Sequence, residues 1–324
     1  MADLWLQFLL TLDATLRVST PLILCAMAGI FSEKSGIIDI SLEGKMLMAA
    51  FTAAALAAIT GSVWVGVLGA ITVSVLLGLL HGLASITLFG NQVISGLAIN
   101  TLASGFTVTI GYAIFQQGGQ TPQLGSDNRF GPIILPFADG IGGIPVVGPI
   151  YREVISGHNL IVWVALLAVV MTAFVIGRTR FGLRLRAVGE KPEALDCAGV
   201  SVVMTRYQAL IIAGVLCGIA GAYLSTAHGS GFVREMTAGK GYIALAAMIF
   251  GKWQPRGALL ACLLFGFLEA VASRLQGVEL PLIGEAPVNL ILAMPYLMTV
   301  ILLAGFVGSA MPPRAIGRPY IKER

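Results

Sequence analysis

Five ionisable residues, Glu33, Lys34, Asp39, Glu43 and Lys45, stand close together between two long apolar runs. Residues 31–45 read FSEKSGIIDISLEGK, so the charges are interleaved with Ile37, Ile38, Ile40 and Leu42 and flanked by Gly36 and Gly44. In water this would be an ordinary solvated loop. Between two hydrophobic runs it suits a broken or re-entrant segment in a protein-lined cavity, where non-helical backbone is tolerated at membrane depth. Ionisable groups at that depth mark solute or ion pathways. A structural hairpin held by Glu–Lys pairs is the open alternative. The amides of the run 91–115 raise the same choice. Asn91 opens it and Asn100 lies inside it, where an amide facing lipid would be costly. Ser41, Glu43, Asn91, Asn100 and Phe106 are therefore the candidate pathway residues, the alternative for Asn100 being a hydrogen bond to a neighbouring helix.

A second stretch, RFGLRLRAVGEKPEALDCAGVSV at 180–202, is basic and polar. Pro192 suits the first turn of a short helix, Glu190 and Glu193 fall where the helix dipole favours acids, and Gly199 ends it. Such a helix flanked by bases reads either as a dock for another protein or as a loop that only orients the chain. A third stretch, GKGYIALAAMIFGKWQPRGAL at 239–259, predicts a short helix rich in small residues. A Gly-Lys-Trp turn closes it, with Trp253 at the membrane interface.

No catalytic constellation emerges. The chain has no G-x-x-x-x-G-K-[ST] loop, no Ser-His-Asp elbow and no H-E-x-x-H, so an energy source based on ATP must lie in a partner. Cys25, Cys197, Cys217 and Cys262 form no C-x-x-C, and His81, His158 and His228 are far apart. Neither a disulfide framework nor a metal site is expected.

The elements that must hold these residues are membrane helices. Of 324 residues, 57% are hydrophobic and only 11% charged, with 40 glycines, and the mean hydropathy is +0.89. A soluble domain carries roughly 25% charged residues. Apolar runs lie near 14–31, 45–60, 62–89, 91–115, 159–177, 207–228, 257–273 and 289–309, against about 20 residues needed to span a bilayer. Residues 4–12 are too short to cross alone, and 240–251 suits half a span. The expectation is an all-α polytopic membrane protein, one domain over 1–324, with about eight to ten membrane segments including a broken or re-entrant one. The runs are continuous rather than alternating, which excludes a β-barrel. The pairs Gly78/Gly82 and Gly214/Gly218 predict close helix packing. The N-terminus lacks a basic n-region and a cleavage site, unlike a removed signal peptide.

The net charge of +4 sits in short loops without interleaved aromatics, which argues against nucleic acid. Loops rich in Lys and Arg stay in the cytoplasm. This places 178–206 and the tail 310–324 inside and the Gly- and Pro-rich 116–158 outside.

Together the three stretches resemble permease subunits of bacterial ATP-binding-cassette importers, in the branch that takes up ribose, branched-chain amino acids and nucleosides. SEKSGIIDISLEGKMLMAAF (32–51) is similar to the nucleoside-type block. AVGEKPEALDCAGVSV (187–202) resembles the coupling loop, with Glu193, Ala194 and Gly199 at the spacing of its E-A-A-x-x-x-G motif. GKGYIALAAMIFGKW (239–253) is similar to a third block. The resemblance covers about 20–310. Leu195 departs from the motif's second Ala, and Asp39 stands where Asn is common. By resemblance, Glu190, Pro192, Glu193, Ala194, Leu195 and Gly199 couple to an ATPase. The resemblance also implies a multi-pass protein of the bacterial inner membrane, in a dimer of permeases, often two different ones. It implies a pair of cytoplasmic ATPases carrying ATP and Mg, and an extracytoplasmic binding protein. The cargo implied is a nucleoside, with a purine favoured by the first block, moved by alternating access. The chain is similar to the shorter permease of such systems, and no cofactor is expected in it. A sugar or branched-chain amino acid permease is the nearest rival. An ion-coupled carrier using Asp39 and Glu43 is a further one.

Overall fold

The computed structural model describes residues 2–135, 147–275 and 311–322, together with 279–280, 284–285, 293 and 297. Among them, seven helices are long and apolar enough to cross a bilayer. Helix α1 (Ala2–Lys34) is continuous. Residues 4–12, read from the sequence as a separate short apolar piece, are thus the first turns of α1. At 1.5 Å per residue this helix is about 50 Å long, well beyond the roughly 30 Å hydrocarbon core. Pro21 lies inside α1 and has no N–H for the carbonyl of Arg17, one turn back. The Tyr223 hydroxyl donates to that carbonyl instead, at 2.8 Å.

After α1 the chain unwinds over residues 35–41 and re-forms as α2 (Leu42–Thr60). Helices α3 (Val63–Gly82) and α4 (Gln92–Phe115) follow, α3 ending in a π turn at Leu83–Thr87. Beyond the 116–158 segment come α5 (Leu160–Arg178), the amphipathic α6 (Arg180–Glu190), the single-turn α7 (Pro192–Cys197) and α8 (Val202–Tyr223). The short α9 (Lys240–Phe250) and α10 (Pro255–Leu275) complete the helical body. The apolar run 289–309 falls outside the described residues except for 293 and 297, both helical.

Small residues bring the helices together. Helix α2 is the centre, packed by α3, α4 and α8, and Ala49, Ala50, Ala53, Ala54 and Ala57 on it are fully buried. The two glycine pairs meet each other's helices. A Cβ on Gly78 would lie 3.3 Å from the Leu210 carbonyl on α8, and one on Gly218 would lie 2.6 Å from Ile71 Cα on α3. This is the close backbone approach that small-xxx-small spacing permits.

Two faces follow from the contacts. On one, α1 and the stretch after α8 meet the described parts of the 116–158 segment. Arg17 donates to the Gly157 carbonyl at 3.5 Å, and the Thr121 amide donates to the Phe232 carbonyl at 3.1 Å. On the other, the exposed arginines Arg178, Arg180, Arg184 and Arg186 surround α6 and α7, and the 311–322 tail packs there too. The Ala315 amide bonds the Gly189 carbonyl at 2.8 Å, and the Gly317 amide bonds the Gly36 carbonyl at 2.9 Å. The basic loop and the tail therefore share one face, as the charge pattern requires.

Candidate translocation face and docking surface

The unwound segment 35–41 is a buried break whose backbone groups are met by side chains. Gly36, at φ +85°, turns the chain out of α1. The Ile38 amide then donates to Gln92 Oε1 at 2.7 Å, and the Ile38 carbonyl lies 3.0 Å from His81 Nε2. Asn100 Nδ2 donates to the Ile40 carbonyl at 3.0 Å, and Asn100 Oδ1 accepts from the Gly44 amide at 2.8 Å. Buried backbone groups must be paired, and α3 and α4 supply the partners here. Gly44 is required at this spot, because a Cβ would lie 2.7 Å from Asn100 Cα.

The charges within the break are consumed internally. Lys45 Nζ lies 2.6 Å from Asp39 Oδ2 with both side chains inaccessible, and the Ser41 hydroxyl bonds Asp39 Oδ1 at 2.5 Å. Glu43 caps the first turn of α9, accepting from the Gly239 amide at 2.9 Å and the Gly241 amide at 2.6 Å. A carboxylate at a helix N-terminus is favoured by the dipole and by the unpaired N–H groups. Ser41 and Glu43, expected on the pathway, thus face protein rather than open space. Asn91 is exposed at the basic end and caps α4, accepting from the amides of Val93 and Ile94. Trp253, expected at the interface, is 6% exposed and donates to Glu33 Oε2 at 2.6 Å.

Asn100 and Phe106 do border open space, on opposite flanks of the buried stripe of α4 that runs through Gly96, Ile99, Ala103 and Thr107. Phe106 is 49% exposed and Tyr242 43%. The second hydrogen of Asn100 Nδ2 reaches Tyr242 Oη at 2.8 Å, and the Ser104 hydroxyl reaches Glu235 Oε1 at 2.5 Å. Glu235 is exposed and sits at φ +54°, a left-handed conformation that costs a non-glycine residue roughly 1–2 kcal/mol. Sequence reading passed over Glu235 and Tyr242. Glu235 lies outside the long apolar runs, and nothing in its neighbours reveals that the chain returns it to α4.

At the basic face, α5 turns into α6 at Thr179, whose hydroxyl accepts from the Gly182 amide at 3.1 Å. Pro192 opens α7, and Gly199, at φ +77°, follows its last turn, its amide bonding the Asp196 carbonyl at 2.9 Å. Glu193 and Ala194 are exposed while Leu195 is buried with Val188 and Val202. The departure from the motif is thus the apolar anchor of the helix. Glu190 immediately precedes Lys191, the N-cap of α7. It is the last residue of α6, 3.9 Å from Arg314. The tail braces this region. Tyr320 donates to Asp196 Oδ2 at 3.0 Å, and partial burial with that hydrogen bond raises its phenol pKa above the usual value. Arg206, buried, links the Ser35 and Arg318 carbonyls at 3.2 and 3.3 Å. A cavity of about 380 Å³ opens beside α7, lined by Phe89, Asp196, Gly199, Ser201, Tyr320 and Lys322 among others. Among the described residues, no group of three His, Cys, Asp or Glu could hold a metal ion.

Comparison with known proteins agrees with this architecture. The chain is 37% identical to the guanosine ABC transporter permease protein NupQ of Bacillus subtilis over 317 residues, 96% of each chain. It is 36% identical to the nucleoside ABC transporter permease protein NupC of Lactococcus lactis, over 94% of this chain and 95% of that one. It is 35% identical to TsgC13 of Haloferax volcanii, provisionally designated a glucose ABC transporter permease, over 85% of this chain and 80% of that one. Residues 11–304 match the family described as branched-chain amino acid transport system / permease component. Matched by that family over residues 11–304 and by these permeases over nearly its whole length, the chain belongs to that permease family and is a membrane transport subunit.

Proposed function

We propose that this chain is one wall of the pore of an ATP-binding-cassette importer for nucleosides, with a purine nucleoside as the favoured cargo. The observation that carries the substrate is the likeness to NupQ over nearly the whole of both chains. The geometry is compatible with it. Asn100, Ser104, Tyr242 and Glu235 offer an amide, hydroxyls, an aromatic face and a carboxylate on one open side. Polar groups at this depth need water or protein opposite them. A second permease subunit, in a heterodimer, would supply the other wall.

The exposed Glu193, Ala194 and Gly199, with Glu190, Pro192 and Leu195 as their support, would dock on a cytoplasmic ATPase that carries the ATP and Mg. A solute-binding protein would meet the face formed by 116–135 and 156–159. This orientation puts the tail, with the basic loop, in the cytoplasm. ATP-driven closure of the partners would shift the pore between two packings, each ligand biasing the state it binds better. An ion-coupled carrier using Asp39 and Glu43 is disfavoured, since both carboxylates are taken up by Lys45, Ser41 and the start of α9.

A sugar is the second reading, favoured by the likeness to TsgC13. Uptake of radiolabelled guanosine, adenosine, uridine, ribose, glucose and leucine into cells carrying the complete importer separates the two. Guanosine uptake competed by adenosine is the expected result. Ribose, glucose or leucine uptake that excess nucleoside does not inhibit would overturn the nucleoside assignment and leave the importer class standing.

A further inference from the structure

Glu235 has no place in the structural framework. Asp39, Glu43 and Glu33 each hold a neighbouring element, whereas Glu235 is exposed and the one described hydrogen bond of its side chain is to Ser104. Among the described residues, no Lys or Arg pairs with it. Ser104 stands twelve residues along α4 from Gln92, about 18 Å from the basic end at 1.5 Å per residue. In a hydrocarbon core of about 30 Å that is close to the midplane. An exposed carboxylate there cannot face lipid, so this side of α4 faces a wet passage. The Ser104 bond fixes where the carboxylate points, while one of its oxygens and the remaining lone pairs stay open as acceptors. One turn towards the basic end, Asn100 and Tyr242 extend the polar surface.

A carboxylate with open acceptor sites, one turn of α4 from the exposed Tyr242 ring, is suited to a solute that carries neighbouring hydroxyl donors on a flat or apolar body. We propose that Glu235, steered by Ser104, accepts hydrogen bonds from the sugar hydroxyls of the passing nucleoside, so that the diol is read inside the pore itself. This rests on the nucleoside reading above. A solute without the hydroxyls leaves the carboxylate unmatched and crosses more slowly.

The test is a cycle between protein and solute in proteoliposomes holding the complete importer. Uptake of guanosine and of 2′,3′-dideoxyguanosine is measured for wild type, Glu235→Gln and Ser104→Ala, each normalised to the amount of assembled complex. The preference of the binding protein cancels, because the same binding protein serves every variant. Glu235→Gln keeps the shape and an acceptor for Ser104 but removes the charge. It is expected to slow guanosine about tenfold, the size of one hydrogen bond to a charged group, and the dideoxy solute less than about twofold. Ser104→Ala, which keeps the carboxylate but frees it, should show a smaller loss in the same sense. Equal losses for both solutes, or no loss for either, overturn the inference while leaving the nucleoside reading intact. A wild-type importer that carries neither solute removes the nucleoside reading and this inference with it.

Discussion

Asn100 gives the sharpest test of how the break in the chain is held. Its side chain makes three hydrogen bonds, to the Gly44 amide, the Ile40 carbonyl and the Tyr242 hydroxyl. Asn100→Ala leaves the first two backbone groups without partners in a part-buried setting. At about 1–3 kcal/mol for each orphaned group, the loss is roughly 2–6 kcal/mol. Tyr242 is half exposed and its hydroxyl can turn to water, so Tyr242→Phe should cost under about 1 kcal/mol. At roughly 2 °C per kcal/mol for a chain of this size, Asn100→Ala should lower the apparent Tm by about 4–12 °C. Tyr242→Phe should barely move it. Asn100→Asp keeps the acceptor for Gly44 but sets a carboxylate oxygen against the Ile40 carbonyl, so it should be no better than alanine. The assay is thermal unfolding of the purified complex in detergent, with uptake measured in parallel. If Asn100→Ala melts within about 2 °C of wild type and transports normally, the side chain is not what stitches residues 40–44 to α4.

Three further outcomes follow from the same geometry. Gly241→Ala would bring a Cβ within 2.6 Å of Glu43 Cα, separating α9 from α2. A fall in both Tm and uptake is expected, and normal values for both would show that the Glu43 cap is dispensable. At Gly199 a Cβ meets nothing within 4 Å while φ is +77°, so strain rather than crowding decides. Gly199→Val should keep membrane insertion but lower the uptake obtained per ATP hydrolysed, whereas Gly199→Asn, which tolerates the left-handed region, should stay near wild type. A valine variant that couples normally would sink the docking assignment. For the buried Asp39–Lys45 pair, Lys45→Met alone strands a carboxylate and should be more destabilising than Lys45→Met with Asp39→Asn together. Equal melting temperatures for the single and double variants would refute this.

Composition and the length of the apolar runs determined the all-α membrane architecture, because lipid leaves backbone groups no partners but those within a helix. Local chemistry was equally legible at α7. Pro192 can open a helix, Gly199 can take a positive φ after it, and the surrounding arginines choose the face. A break between the first two apolar runs, found at 35–41, was also visible, since glycines and charges cannot continue an apolar helix. What the sequence left open was which way each polar side chain turns. Ser41 and Glu43 turn inward because Asp39 and the first turn of α9 lie within reach, contacts made across as many as 198 residues. Trp253 is buried because Glu33 accepts its indole N–H, and Glu235 reaches the middle of α4 only because the chain folds back after α8. Helix formation is driven by neighbours one turn away and can be read locally. The partner of a buried charge is set by packing between distant segments, and only the assembled bundle decides it.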